Sequence, residues 1–215
     1  MTLLEELTNA AEAEWLDRWT AGPTESEGLG LPSGAPAPDL TLPDHTGRRR
    51  ALSEFWAGRP ALLMFWRHFG CGCGVARAER LKAEWTDHLE AGLNPVIVAQ
   101  GEPARAAAYR AEHELPCPVL CDPDHVAYRA YGIGQWPVER VLYDAPAESW
   151  GRPRDLGVAF QDGRRAAGRP PVDDPWRATA EFVVGSNGLI RLAYMYQYCD
   201  GFPDPRVLTT AARLS

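Results

Sequence analysis

The feature that most constrains this chain is the apolar run Ala61–Trp66 (ALLMFW), which passes through RHFGCGCG into a helical pattern. A run this short cannot cross a membrane, and its lack of polar alternation means that both faces must be covered, so it reads as a fully buried strand. Burial on both faces calls for helices above and below a parallel or mixed sheet. The following sequence supplies them. Residues 74–90 carry a helical stripe at Ala78, Leu81, Trp85 and Leu89, and Leu93–Ala99 reads as a second strand. Pro103–Glu114 is a second helix, Pro118–Leu120 a short strand and Val126–Tyr131 another helical stretch. Crossovers between parallel strands are expected to be right-handed. The fold class is therefore α/β, with a mixed central sheet flanked by helices.

The remaining segments fit around that frame. Residues 40–52 read as a short hairpin turning at Pro43–Gly47, and Ser53–Trp56 as a helical turn. Glu181–Val184 and Leu189–Tyr196 flank the turn Ser186–Gly188 as a second hairpin, and a helix over Pro205–Leu214 closes the chain. Residues 3–20 pattern as an amphipathic helix, with Leu3, Leu7, Ala11 and Trp15 on one stripe and Trp19 extending it. Gly22–Pro38 is either a linker or an arm strapped to the body. Between Gly132 and Arg177 the periodicity fails, while Trp136, Trp150 and Trp176 recur among glycines and prolines. Such a stretch is too long for a bare loop. It is expected to be a partly ordered insertion with short strands at Val138–Leu142 and Leu156–Phe160. The 215 residues thus divide into an N-terminal helix and connector (1–34) and one domain (35–215) with an insertion at about 135–177.

Charge and targeting signals narrow the function classes. A formal charge of −7 argues against non-specific binding to nucleic acid or anionic membranes. Lys82 is the sole lysine, so Schiff-base chemistry has a single candidate, on a polar helical face. The N-terminus lacks a basic segment followed by an apolar run, and no stretch approaches 18 apolar residues, so a cytoplasmic protein without a membrane span is expected. In that compartment cysteines serve catalysis, metal binding or core packing rather than structural bridges.

Five cysteines, an odd number, are distributed unevenly. Cys71 and Cys73 lie among Gly70, Gly72 and Gly74, where the buried strand ends and a helix begins. A helix N-terminus presents N–H groups and a partial positive charge to a sulfur there, which favours thiolate, and Arg67 or a protonated His68 would add to it. Residues i and i+2 diverge on a helix, so a Cys71–Cys73 disulfide requires non-helical backbone, for which Gly72 gives freedom. The pair can be a redox couple, a reactive Cys71 with a neighbour that resolves or merely packs, or two small core residues at a tight turn. Cys117 and Cys121 flank a short strand, roughly 13 Å apart in extended chain, and read as core. Cys199, just past the last strand, is the long-range candidate for an accessory thiol. The spacings of structural zinc sites are absent, and a metal held by Cys71, Cys73 and Cys199 or a histidine is the alternative chemistry.

FWRHFGCGCG after APDLTLPDHTGRRRALSEF resembles the thioredoxin-like redox proteins of the alkyl hydroperoxide reductase/thiol-specific antioxidant superfamily, in particular its peroxiredoxin-like branch. The likeness continues through LNPVIVAQGEP, LPCPVLCDPDHVAYRAYGIG and AEFVVGSNGLIRLAYMY to FPDPRVL, covering about residues 35–134 and 176–214. The resemblance implies a thioredoxin-like fold, redox activity with no cofactor beyond thiols, and recycling by an external thiol such as a thioredoxin or a low-molecular-weight thiol. It also implies a homodimer by family habit. It puts Cys71 at the position of the peroxide-attacking cysteine, with Cys73, or else Cys199, as the resolving thiol. Arg67 and His68 would stabilise negative charge, and Arg177 would stand for the arginine that precedes the penultimate strand. Typical members carry Thr or Ser three residues before the attacking cysteine and Pro seven before it, where this chain has His68 and Met64. The alternatives to peroxide reduction are disulfide exchange by the Cys-Gly-Cys pair and a non-catalytic protein that binds a partner or metal through the same face.

Overall fold

Ala61–Phe65 is buried at every position, as its composition demands. A computed structural model describes residues 20–137 and 173–214, together with Ala13, Asp17, Arg18, Arg140 and Val141. In chain order the strands are β1 (Thr41–Pro43), β2 (Arg49–Ala51), β3 (Ala61–Phe65), β4 (Asn94–Ala99), β5 (Val119–Cys121), β6 (Ala180–Val184) and β7 (Ile190–Met195). The helices are α1 (Ser53–Trp56), α2 (Gly72–Ala83), α3 (Trp85–Glu90), α4 (Pro103–Glu112), α5 (Val126–Ala130) and α6 (Pro205–Arg213).

Strands β5-β4-β3-β6-β7 form a single mixed sheet with β3 at its centre. β4 runs parallel to β3 in the register Leu63 to Val96, and β6 runs antiparallel to it with Leu63 opposite Phe182. Side chains alternate across a strand, so β3 feeds two cores. Leu63 and Phe65 join Val96, Val98, Phe182, Tyr128 and Tyr131 on one face. Leu62 and Met64 join Ile97, Ala78, Leu81 and Leu208 on the other. Phe65 meets Tyr128 and Phe182 edge-on at centroid separations of 5.2 and 5.8 Å. The expected mixed sheet and both hairpins are present.

The helix expected over 74–90 is two helices. The break at Glu84 has neither Pro nor Gly; its side chain turns inward, 8% exposed, to accept from Arg80 Nε at 2.5 Å and Arg77 Nη1 at 3.3 Å, with His88 Nε2 3.4 Å away. The stripe therefore holds at Ala78 and Leu81, but beyond the break His88 is buried and Leu89 is 38% exposed.

The 22–38 connector is strapped to the body. Gln135 Oε1 accepts from the backbone N–H of Thr24 and Glu25, Gly30 N–H donates to Gly132 O at 3.1 Å, and Gly34 N–H donates to Ile190 O at 2.7 Å. A Cβ on Gly134 would lie 1.8 Å from Ser26 O, so backbone approaches backbone there at a distance only glycine permits. Ala13, Asp17, Arg18, Thr20 and Ala21 are helical, as expected for the N-terminal segment. The other residues of the expected 3–20 helix, Trp15 and Trp19 among them, and the expected strand Leu156–Phe160 with Trp150 lie outside the described residues. Of the expected strand Val138–Leu142, Arg140 and Val141 are described and are helical, their N–H groups donating to Pro137 O.

Candidate active site

The chain leaves β3 through a turn fixed from several sides. Tyr128 Oη donates to Trp66 O and approaches Val98 O at 3.1 Å, and Thr179 Oγ1 donates to Phe65 O at 2.5 Å. Phe69 stacks on Tyr109 at 4.6 Å, and its N–H donates to Asp173 Oδ2 at 3.0 Å. Two glycines make room for this packing. A Cβ on Gly101 would lie 2.3 Å from the Phe69 ring, and one on Gly74 would lie 3.0 Å from Tyr109 Oη. Cys71 N–H then donates to His68 O at 3.0 Å and Gly74 N–H to Cys71 O at 3.0 Å, which starts α2.

Cys71 is the N-cap of α2, in extended backbone at φ −84°, ψ 127°, while Cys73 lies in the first turn. This placement answers the geometric objection to an i,i+2 bridge. The non-helical residue is Cys71 itself, outside the helix, and the Cys71–Cys73 disulfide spans a Cα separation of 5.2 Å. Cys199, on the turn after β7, brings its sulfur close, so that the Sγ atoms of Cys71, Cys73 and Cys199 lie within 4.8 Å of one another. Two contacts hold that turn against α2: Arg80 Nη2 donates to Pro203 O at 2.7 Å, and the Arg80 guanidinium stacks over Phe202.

Arg67 is the shared cation. Its Nη1 donates to Cys199 Sγ at 2.8 Å and to Cys71 Sγ at 3.5 Å. Its Nη2 donates to Pro175 O, and its plane sits 5.3 Å from the Trp136 ring centroid. Arg67 is 6% exposed, so its charge acts with little solvent screening. Together with the N-terminus of α2 it favours anionic sulfur over neutral thiol. Burial pushes the Cys199 thiol up, and Arg67 opposes part of that shift. The same guanidinium argues against a resident metal at the three sulfurs, because a cation would meet a fixed positive charge within hydrogen-bonding distance.

The other sequence-singled residues fall as follows. His68 is partly buried at the start of the turn; its carbonyl caps Cys71 and its ring lies near enough to Asp173 to influence that carboxyl. Arg177 is not brought to the sulfurs. Its guanidinium donates to Glu25 Oε2 at 2.6 Å, meets His125 Nδ1 at 3.2 Å and pairs with Asp174 Oδ2 at 3.2 Å. A cavity of about 270 Å³ lies beside it, lined also by Gln135, Thr24 and Arg18. Cys117 and Cys121 are core, 0% and 1% exposed, and burial pushes both thiols up to about 12.

Two features escaped the sequence reading. Asp173 is buried and bonded to both Phe69 N–H and Arg105 Nη2; burial alone would raise its pKa, but Arg105 holds it below the usual carboxylate value. Arg77, one helical turn beyond Cys73, forms a buried bidentate pair with Glu181 at 2.7 and 3.2 Å, and Tyr196 Oη donates to the same carboxylate. The partner of Arg77 stands 104 residues away at Glu181, so no local spacing signals the pair.

Comparison with known proteins places the chain. The AhpC/TSA family pattern matches residues 33–192. A Mycobacterium tuberculosis protein named as a peroxiredoxin is 30% identical over 137 residues, covering 62% of this chain and 82% of its own length. An Arabidopsis thaliana thioredoxin-like chloroplast protein is 29% identical over 110 residues, 51% of this chain and 44% of its own. Among solved structures, the peroxidoxin BcpB from Mycobacterium tuberculosis superposes with a TM-score of 0.60 at 15% identity, covering 85% of this chain and 97% of its own. A thiol:disulfide interchange protein from Chlorobium tepidum superposes with a TM-score of 0.55 at 18% identity, covering 85% and 99%. Those structural likenesses establish the thioredoxin-like fold. With three quarters of its length matched by the family pattern, the chain belongs to the AhpC/TSA family.

Proposed function

We propose that this protein is a thiol-dependent oxidoreductase that reduces a hydroperoxide at Cys71. The observation that carries the reading is the Arg67 guanidinium on Cys71 Sγ at the N-terminus of α2, with Cys73 already in bonding reach. The Cys71 thiolate attacks the peroxide oxygen; the S–O bond forms, the O–O bond breaks, and the departing oxygen takes a proton, from His68 or from water. Arg67 stabilises the charge that moves from sulfur to oxygen. The Cys73 thiolate then attacks Cys71 Sγ, forming the S–S bond and releasing the sulfenic oxygen as water. An external thiol, a thioredoxin or a small thiol, returns the two electrons. Family habit extends this reading to a homodimer, which sedimentation at two protein concentrations tests.

The test is stoichiometric peroxide added to the fully reduced protein, followed by intact mass and thiol titration. Loss of two thiols in wild type, a persistent sulfenic acid in Cys73→Ser/Cys199→Ser and no reaction in Cys71→Ser are expected. An inert Cys71 would refute the reading. A second reading, dithiol–disulfide exchange with a protein substrate, is favoured by the Cys71–Cys73 disulfide itself. It predicts faster oxidation by a peptide disulfide than by peroxide.

A further inference from the structure

Three sulfurs lie within 4.8 Å of one another, yet a peroxide cycle through Cys71 and Cys73 uses only two. The third, Cys199, is neither remote nor buried in the core like Cys117 and Cys121. It is held in the site by a 2.8 Å hydrogen bond from the guanidinium that also reaches Cys71. As a residue Cys199 is partly buried, although burial of its sulfur raises the thiol pKa against the opposing pull of Arg67. A group that serves only packing has no need of a charged donor at that distance.

We propose that Cys199 takes over the disulfide. Resting on the reading above, the step is an internal thiol–disulfide exchange. The Cys199 thiolate attacks Cys73 Sγ, the Cys71–Cys73 bond breaks, the Cys73–Cys199 bond forms, and Cys71 leaves as a thiolate. One electron pair passes from Cys199 to the new bond, the old bonding pair stays on Cys71, and the number of disulfides is unchanged. No outside oxidant or reductant is required.

The direction of attack follows from the position of Arg67. Exchange is faster when the leaving sulfur is the better stabilised anion. Cys71 qualifies, having both Arg67 Nη1 at 3.5 Å and the first turn of α2, whereas Cys73 lies within that turn and receives no hydrogen bond from the guanidinium. Negative charge thus travels from Cys199 to Cys71 along one guanidinium without crossing uncompensated space. The outcome is a division of labour. Cys71 is restored for another peroxide, while the oxidising equivalents wait on Cys73 and Cys199.

The experiment uses the full-length protein oxidised with one equivalent of hydrogen peroxide. Native protein is alkylated with iodoacetamide near neutral pH, quenched in acid and mapped by peptide mass spectrometry with disulfides intact. Before exchange the reactive free thiol of the cluster is Cys199; after it, Cys71. Because alkylation is irreversible, even a minor exchanged population is collected over time. Most of the label on Cys71, together with a Cys73–Cys199 disulfide peptide, is the expected result. Cys199→Ser, which has no third thiol, should take no label in the cluster. Label confined to Cys199 with Cys71–Cys73 intact overturns the exchange and leaves Cys71 as the attacking cysteine. Absence of any peroxide-dependent disulfide overturns both.

Discussion

Replacing Glu181 by Gln keeps the shape of the side chain and removes its charge, so the Arg77 guanidinium loses its main counter-ion. Arg77 and Glu181 are 2% and 1% exposed, and burial works against the cation, but Glu181 holds the Arg77 pKa above its ordinary value. Breaking one side of a buried pair costs about 3–5 kcal/mol, because the remaining charge stays desolvated. Glu84 still touches Nη1 at 3.3 Å, which places this case near ~3 kcal/mol. For a chain of this size that loss lowers the Tm by roughly 6–12 °C. Thermal and urea unfolding of the oxidised protein, followed by far-UV circular dichroism, measures it. The double variant Arg77→Met/Glu181→Leu removes both charges and should recover much of the loss, so its cost falls well short of the sum of the single costs. A Glu181→Gln protein within about 1 kcal/mol of wild type, or a double variant as unstable as the sum, would refute the reasoning.

Other outcomes follow from the same geometry. Oxidised native protein should show one titratable thiol, from the Cys71, Cys73 and Cys199 cluster, and three after denaturation, because Cys117 and Cys121 are held up to about 12 by burial; native labelling of either would contradict the packing. Burial, aided at His125 by Arg177, keeps the His113 and His125 pKa values below 6.5. The unfolded chain therefore takes up protons first as pH drops, so stability is full above about pH 6.5 and is lost as pH falls through their folded values. A urea midpoint that rises between pH 6.5 and pH 5 would reverse that sign. Gly101→Ala should cost about 1–3 kcal/mol through its collision with Phe69 and should also slow peroxide oxidation of Cys71 by shifting the turn, both read on one preparation. Asp122→Ala should cost about 1–2 kcal/mol, because its carboxylate accepts from the N–H groups of Val126, Ala127 and Tyr128 at the start of α5; an unchanged urea midpoint would exclude that capping role.

The sheet was legible because its strands are apolar and its turns carry Gly, Pro, Asn and Asp, so periodicity and punctuation agreed. The break at Glu84 was not, since it depends on three basic groups converging on one buried carboxylate, and a periodicity reading assigns charged residues to solvent. The thiol cluster was half legible. Cys71 and Cys73 announce themselves by adjacency and glycine spacing, but the approach of Cys199 depends on where β7 ends relative to α2. Arg67 and Arg177 are alike as letters, and tertiary structure alone tells them apart. One faces the sulfurs, and the other is engaged by Glu25, His125 and Asp174. The insertion reading at about 135–177 lies largely outside the described residues.

The hydrogen bonds of Arg67 to Cys199 and Pro175 span 132 and 108 residues, and that of Phe69 to Asp173 spans 104. Closing loops of that size costs more chain entropy than forming the local helices. During synthesis the cysteine pair emerges long before the residues that hold its cation in place. A nascent or truncated chain ending before Asp173 lacks the partners that Arg67 and Phe69 find at Asp173, Pro175 and Cys199, so on the function proposed above the cysteine pair becomes selective only when the last fifth of the chain docks. On that proposal, reactivity at Cys71 is a report on the completion of folding.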